Sequence, residues 1–383
     1  MRVLYMSHRF HNNQNDIMKG WLERGDEVRF ISQYAGKMED HSVVQPIIMG
    51  YSGLFMIFYK LYVNVLARKN PNALDIRLKI GFPPVRKLAK TMKEFAPDLV
   101  IMRERSVYTI FMTAICRHYG YPNVLYVMNP VWEDKKKKDL AHKLVWKLVP
   151  KYRITPSLVV GTEYEGKEKD ECAFFAPYLM EPRVAPEDKA YFKDGKIQIL
   201  EVGKYQERKN HRMMVEAFEE IHRKYPNTHL TIAGQVSDHF HEAYLAALEQ
   251  DIVKRGLEKE ITLLKNLNKS QMMEQYKQSD LFVLPSTGEP GAVAHLEAMA
   301  FSIPVIVGDD NGTTCYVEHG KMGYIFKDND KADLIAGMEA IVSDREKLKR
   351  MGGCAYAHVK EHFQFDSYYR TIEHIMELQK QEQ

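Results

Sequence analysis

The feature that most constrains this chain is an alternation, kept up from end to end, of short apolar runs with segments whose apolar residues recur at helical spacing. In the first half, 2–7, 27–33, 98–103, 123–129 and 157–162 read as strands, and 16–24, 85–95 and 109–119 between them carry the helical period. The second half repeats the pattern, with strands at 197–202, 229–233, 261–264, 281–285, 304–307 and 323–326. Strands that are apolar on both sides and joined by helical crossovers build parallel sheets covered on both faces. The expected class is therefore α/β, with two doubly wound domains.

A length of 383 residues also suits two domains, since single cores of roughly 150–200 residues are the norm. The polar stretch 184–196, with Pro186, Glu187, Asp188 and Gly195, has turn residues and no period, which places a boundary between 1–185 and 186–364. The amphipathic segment 365–383, with Tyr369, Ile372, Ile375 and Met376, is expected to return to the first domain. A composition of 45% hydrophobic and 27% charged residues is that of a globular chain. Cys116, Cys172, Cys315 and Cys354 lie far apart, which argues against zinc and against a disulfide framework and favours a reducing cytoplasm. A strand opening at Arg2 leaves no room for a secretory leader.

The apolar stretch 54–66 is interrupted by Lys60 and Asn64 and is shorter than the ~20 residues a spanning helix needs, so it suits a bilayer surface or a core. A net charge of +3 gives no case for nucleic-acid binding. Segment 133–153 is locally basic, with Lys135–138, Lys143, Lys147, Lys151 and Arg153 against Glu133, Asp134 and Asp139. Leu140, Leu144, Val145, Leu148 and Val149 form an apolar stripe beside these charges, which fits either a core-facing helix with a solvated back or a helix on an anionic membrane. The lysine run favours an anionic surface or acceptor, and with it a cytoplasmic protein held peripherally at the inner face of the plasma membrane.

Segment 281–306 reads strand, glycine-bearing loop, short helix, strand. Its helix is apolar almost all round yet carries Glu297, and a buried carboxylate requires a partner. A pair of ligand hydroxyls would satisfy Glu297, and the N–H groups of Gly291, Ala292 and Val293 at the helix start would favour a phosphate. Glu289 in the preceding loop would face the same crevice. The alternative on equal footing is that Glu297 pairs with a buried Arg or Lys and Glu289 caps the helix. In 197–218, a strand ends at Gly203, followed by Lys204 and by Arg208-Lys209 just before a helix, where a diphosphate would be neutralised.

Together these segments resemble the retaining glycosyltransferases of the two-domain GT-B architecture, the group called family 4. The resemblance rests on Glu289, seven residues, then Glu297, followed by Ala298-Met299-Ala300 and Pro304-Val305-Ile306. It implies two Rossmann-like domains facing a cleft: an acceptor domain first and a nucleotide-sugar donor domain second. It implies that Lys204 and Lys209 hold the donor diphosphate, that Glu297 binds the ribose, and that Glu289 lies beside the transferred sugar. Gly203 would let the chain approach the phosphates closely. The implied activity is transfer, with retention, of a sugar from a nucleotide-diphosphate sugar to a hydroxyl, including that of a lipid-linked or cell-envelope glycan. The rival readings are a non-catalytic GT-B binding protein, a sugar-nucleotide epimerase and a phosphorylase.

The sequence departs from the family pattern at several points. Pro290-Gly291-Ala292 stands in place of Pro-Phe-Gly, Ser302 and Lys265 replace usual glycines, and the loop 7–11 lacks paired glycines. Asn129-Pro130 stands where relatives have a histidine. On the acceptor side, His8, Arg103 and Asn129 are candidates because of their positions at strand ends. The single Asp-x-Asp match, Asp328-Asn329-Asp330, reads as a solvated turn after a late strand, so no metal and no other cofactor is expected.

Overall fold

The structure, a computed structural model, describes residues 1–36, 39–67, 75–132, 140–158 and 169–382. The chain divides into two compact units, one of Met1–Pro156, Gly166–Leu179 and Phe365–Gln383, the other of Ser157–Glu165 and Met180–Gln364.

The first unit contains β1 (Arg2–Ser7), α1 (Asn15–Glu23), β2 (Glu27–Ser32), β3 (Ile47–Ile48), α2 (Gly53–Tyr62), α3 (Arg77–Ile80), α4 (Val85–Phe95), β4 (Leu99–Arg103), α5 (Val107–Tyr119), β5 (Asn123–Tyr126), α6 (Leu140–Leu148), β6 (Arg153–Thr155) and β7 (Ala173–Phe175). Its seven strands are ordered β3-β2-β1-β4-β5-β6-β7, all in parallel pairs. β1 and β4 are central because Val3 to Met6 and Leu99 to Met102 are buried on both faces. In α4, Leu88, Met92 and Phe95 share the buried face, and the helix ends at Ala96 in the left-handed region. In α5, Ser106 caps the start by accepting from the Thr109 N–H, and Gly120 closes the end with φ +72°.

The second unit contains β8 (Ile197–Val202), α7 (His211–Lys224), β9 (Thr228–Gly234), α8 (His239–Arg255), β10 (Ile261–Lys265), α9 (Lys269–Gln278), β11 (Leu281–Leu284), α10 (Ala294–Ala300), β12 (Val305–Gly308), β13 (Gly323–Phe326), α11 (Lys331–Val342) and α12 (Arg345–His362). Six parallel strands run in the order β10-β9-β8-β11-β12-β13, so the winding reverses between β8 and β11. All four residues of β11 and of β12 are buried, which is why they read as unbroken apolar runs.

The last helix, α13 (Phe365–Gln381), is part of the first unit. It buries Tyr368, Ile372 and Ile375. The Tyr368 hydroxyl lies 2.7 Å from that of Tyr5 on β1, and the Trp21 indole N–H donates to Tyr5 at 2.8 Å. This buried chain of three polar tips joins α13 to β1 and α1.

Two expectations need correction. In place of the fifth expected strand, 157–162, the first unit has β6 just before it; Ser157 and Leu158 are not in a strand, and 159–162 lie outside the described residues. Arg153 hid it: counted as a surface cation, it is buried on β6, paired with Asp170 at 3.1 Å and donating to the carbonyls of Asn129 and Pro130. The stripe on α6 also divides. Val145 and Val149 pack against Leu125 and Val127, while Leu144 and Leu148 are exposed. The lysine run 135–138, with Glu133, Asp134 and Asp139, lies outside the described residues.

Candidate functional site

In an open doubly wound sheet, ligands bind beyond the carboxyl ends of the strands where the winding reverses. In the second unit that point is the pair β8 and β11, and the loops that follow them carry most of the expected site residues. After β8 the chain runs through Gly203 and Lys204 into a 3₁₀ turn, Glu207–Lys209. Asn210, with φ +59°, then turns it into α7. The loop after β11 meets it, with the Thr287 N–H donating to the Arg208 carbonyl at 3.0 Å.

The two loops bring Lys209 and Glu289 together. Lys209 Nζ lies 2.5 Å from Glu289 Oε2, and Arg208 Nη1 donates to the same oxygen at 2.7 Å. The side chains of Lys209 and Glu289 are only 13% and 10% exposed, so this contact is poorly screened. Burial alone would raise the Glu289 pKa, but Lys209 and Arg208 outweigh it and hold the group below the usual carboxylate range. Glu289 is thus ionised and sits against two cations. Behind it, its carbonyl accepts from the Gly312 N–H at 2.8 Å. A Cβ on Gly312 would stand 2.2 Å from the Pro290 carbonyl oxygen, so this brace requires glycine.

Gly203 serves a different neighbour from the one expected. A Cβ there would lie 3.1 Å from the stem of Lys209, so the glycine makes room for that lysine to reach Glu289. Lys204 is exposed, and its side chain makes no ion pair among the described residues. Its backbone is fixed: His211 Nε2 donates to the Lys204 carbonyl at 2.9 Å, and Nδ1 lies 2.5 Å from Glu201 Oε1. This buried pair, with side chains 0% and 1% exposed, was missed from sequence. Its only signal there was a glutamate inside the apolar run of β8. Burial opposes charge on His211, and Glu201 overcomes it, raising the pKa.

Two expectations for the short helix α10 are corrected. Glu297 is not fully buried: it is partly exposed on a seven-residue helix and accepts from the Tyr276 hydroxyl at 2.8 Å. Buried Tyr276 on α9 thus orients the carboxylate. The helix also begins at Ala294, not near Ala292, and the Ala292 N–H is directed at Asn311 Oδ1 at 3.4 Å. Gly291 and Val293 lie in the loop before the helix, and the side chain of Val293, the N-cap residue, cannot cap its start. Behind this loop His295 is fully buried, with Nε2 donating to the Thr313 carbonyl at 3.2 Å; burial pushes its pKa down to about 4.

The turn 328–330 is less solvated than expected. Asp330 caps α11 by accepting from the Asp333 N–H at 3.1 Å, and Asp328 buries Oδ1, with burial and then Asp310 and Asp309 raising its pKa to about 6. Among the described residues, no group of three or more His, Cys, Asp or Glu side chains is arranged to hold a metal ion.

The three acceptor-side candidates lie in the first unit, at the carboxyl ends of β1, β4 and β5. His8 Nδ1 is 3.0 Å from Gln33 Oε1, and burial lowers its pKa. Arg103 contacts Glu104 at 3.8 Å and lies over the Tyr126 ring, while its Nη1 is buried with no hydrogen-bond partner among the described residues. Asn129 offers its carbonyl to Arg153. His11, missed from sequence, is also there, with its pKa pushed down to about 3 by burial and then by Arg103 and Arg9.

Comparison with known proteins bears on the second unit. Residues 186–358 match the family model of glycosyl transferases, group 1. That segment holds the Lys209–Glu289 contact, His211, Tyr276 and Glu297. Among curated relatives, the D-inositol 3-phosphate glycosyltransferase of Nocardia farcinica is 27% identical over 51% of this chain and 45% of its own. The alpha-monoglucosyldiacylglycerol synthase of Acholeplasma laidlawii is 29% identical over 40% and 37%. The matched region thus spans less than half of either relative. Solved structures extend the likeness to nearly the whole chain. Anabaena HepE in complex with UDP superposes with a TM-score of 0.72 at 15% identity over 98% of this chain and 100% of that one. A glycosyltransferase from Rickettsia africae gives 0.71 at 16% identity, over 99% and 98%. At such identities the likeness is one of fold: GT-B, with two Rossmann-like domains.

Proposed function

We propose that this chain is a glycosyltransferase that moves a sugar from a nucleotide-diphosphate sugar to a hydroxyl acceptor, with retention at the anomeric carbon. The observation that carries the reading is the convergence of Lys209 and Arg208 on one oxygen of Glu289 at the β8/β11 switch point. Two cations on one carboxylate leave a surplus positive charge, and a diphosphate with more charge than Glu289 displaces it from Lys209. The freed carboxylate then faces the sugar attached to that diphosphate and positions it.

As the bond between sugar and diphosphate breaks, negative charge grows on the leaving phosphate, where Lys209 and Arg208 are already in place, with Lys204 earlier in the same loop. The acceptor hydroxyl attacks on the face that the phosphate leaves, which preserves the anomeric configuration. Its proton passes to the departing phosphate, so no protein base is needed. Glu297, oriented by Tyr276, accepts from the ribose hydroxyls. The lysines and arginine supply the charge a divalent ion would otherwise supply, and Asp330 is committed to capping α11, which supports a metal-independent reaction.

On the acceptor side, His8, Arg103 and Asn129 stand at strand ends of the first unit, where ligands of such sheets bind. The relatives' names include glycosyl transfer to D-inositol 3-phosphate and synthesis of a glucosyldiacylglycerol, which supports a glycan or lipid acceptor here. The test is a thermal-shift panel of UDP, GDP, ADP and CDP on the unsubstituted chain. One nucleotide is expected to raise the midpoint, because a ligand at 100 times its dissociation constant adds about 2.7 kcal/mol. No shift with any of the four would refute the donor-site reading.

A further inference from the structure

Helix α2 carries exposed apolar side chains on a single face. Leu54, Ile57, Phe58 and Leu61 recur at spacings of three and four residues and are 84%, 70%, 50% and 64% exposed, and Val65 in the following turn is 64% exposed. A core helix would bury that face. Here the core is met from the other side, where Phe55 is buried and packs on Tyr51 with ring centroids 5.4 Å apart. Ser52 caps the helix start, accepting from the Phe55 N–H at 3.3 Å, so the helix is built independently of any cover on its outer face. Ile80 and Phe82, also exposed, extend the apolar surface at this end, with the Ser52 N–H donating to the Phe82 carbonyl at 2.8 Å.

Among the described residues, the carboxylate near this helix, Asp75, is held by Arg77 at 2.6 Å, while Lys60 on α2 and Lys79 on α3 are exposed cations. The sequence holds no Asp or Glu between Asp40 and Asp75, while Lys60, Arg68 and Lys69 fall in that interval. We propose that α2 docks in the plane of an anionic lipid surface, inserting Leu54, Ile57, Phe58 and Leu61 among the acyl chains while Lys60 meets the headgroups. The helix is far too short to span a bilayer, which needs about 20 apolar residues, but an apolar face with cationic flanks is the form that lies in the interface. A second copy of the chain is the poorer occupant, because a symmetric contact on this face would set these exposed cations against those of the copy, while Asp75 is already paired with Arg77. Anionic headgroups complement the cations.

Vesicle binding needs no turnover, so its outcome is separate from that of the donor-site reading. The full chain is sedimented with vesicles of phosphatidylcholine alone and of phosphatidylcholine mixed with phosphatidylglycerol. The expected result is recovery with the anionic vesicles, cut on the order of ten-fold or more in Leu54→Ser/Ile57→Ser/Leu61→Ser, as removing buried apolar area requires. Because these side chains are exposed, the unfolding midpoint of the triple variant should match that of the unsubstituted chain. In Ile57→Trp, anionic vesicles should shift the emission to the blue beyond any shift of the native tryptophans. Replacing Lys135–138 by serine should leave that blue shift in place. The proposal is overturned if the triple variant binds as the unsubstituted chain does, if neither vesicle recovers the protein, if both recover it equally, or if sedimentation velocity shows a dimer that the triple variant dissolves.

Discussion

Lys209 Nζ and Glu289 Oε2 are 2.5 Å apart although 80 residues separate them in the chain, and Arg208 shares the same oxygen. In the proposed reaction, the cation that neutralises the leaving diphosphate is stored on this carboxylate until the donor arrives. This arrangement keeps two cations from repelling each other in the free protein and leaves them in place for the reaction.

Glu297 and Tyr276 give the first prediction. Glu297 is partly exposed, so Glu297→Gln should leave the unfolding midpoint nearly unchanged. Nucleotide affinity should fall by about 1.5–3 kcal/mol through loss of charge-assisted hydrogen bonds. Tyr276→Phe frees the carboxylate from its orienting hydroxyl and should weaken binding in the same direction but less. Calorimetry on both variants decides this; a large loss of apo stability in Glu297→Gln with unchanged affinity would show that the residue is structural.

The buried pair Glu201 and His211 holds the Lys204 loop, and its effect on stability has a definite sign with pH. Burial opposes the imidazolium, but Glu201 raises the folded pKa above the ordinary 6.5. The stabilisation is therefore full below 6.5 and is lost as pH rises through the folded value. Glu201→Gln strands a buried His and should cost about 3–5 kcal/mol near pH 6. Urea unfolding at pH 6 and pH 9 checks both points: the gap between the variant and the unsubstituted chain should narrow at the higher pH.

His295 behaves in the opposite way. Its folded pKa is pushed down to about 4 from an ordinary 6.5, so the unfolded chain takes up a proton that the folded one refuses. Stability from this group is full above pH 6.5 and falls as pH drops towards 4, by about 3 kcal/mol in total. His295→Gln should flatten that part of the acid-unfolding curve. Parallel slopes for the variant and the unsubstituted chain between pH 6.5 and 4.5 would contradict the assignment.

Turnover should survive chelation, because Lys209 and Arg208 supply the charge on the leaving group. Activity is measured with excess EDTA, and retention of most of the rate is expected. Complete loss restored by Mn²⁺ or Mg²⁺ would rule out a metal-independent site.

How much of this was legible in the sequence depended on whether a residue's surroundings are local. β11 and β12 could be read because strands buried on both faces leave continuous apolar runs, and β9 because its buried residues alternate along the strand. β6 could not, because Arg153 resembles a surface cation until Asp170 is beside it. Glu289, Lys209 and Glu297 could be picked out by residue type and spacing. That Glu289 occupies Lys209, however, depends on two loops meeting across the β8/β11 switch point. Glu297 was read as interior because the residues around it in α10 are apolar. The helix is so short that one side stays open, and the orienting hydroxyl comes from Tyr276 on a separate helix. The Ala292 N–H was read as available because its acceptor, Asn311, lies beyond β12.

The most direct test of the central claim is calorimetric titration of the nucleoside diphosphate selected by the thermal-shift panel into three proteins: the unsubstituted chain, Lys209→Ala and Glu289→Gln. If Lys209 is held by Glu289 and handed to the diphosphate, Lys209→Ala should lose about 2–3 kcal/mol of binding. Glu289→Gln, relieved of the internal competitor, should bind as tightly as the unsubstituted chain or several-fold more tightly, while its turnover falls on the order of a hundred-fold. Unchanged affinity in Lys209→Ala, or an affinity in Glu289→Gln that falls as far as in Lys209→Ala, would contradict it.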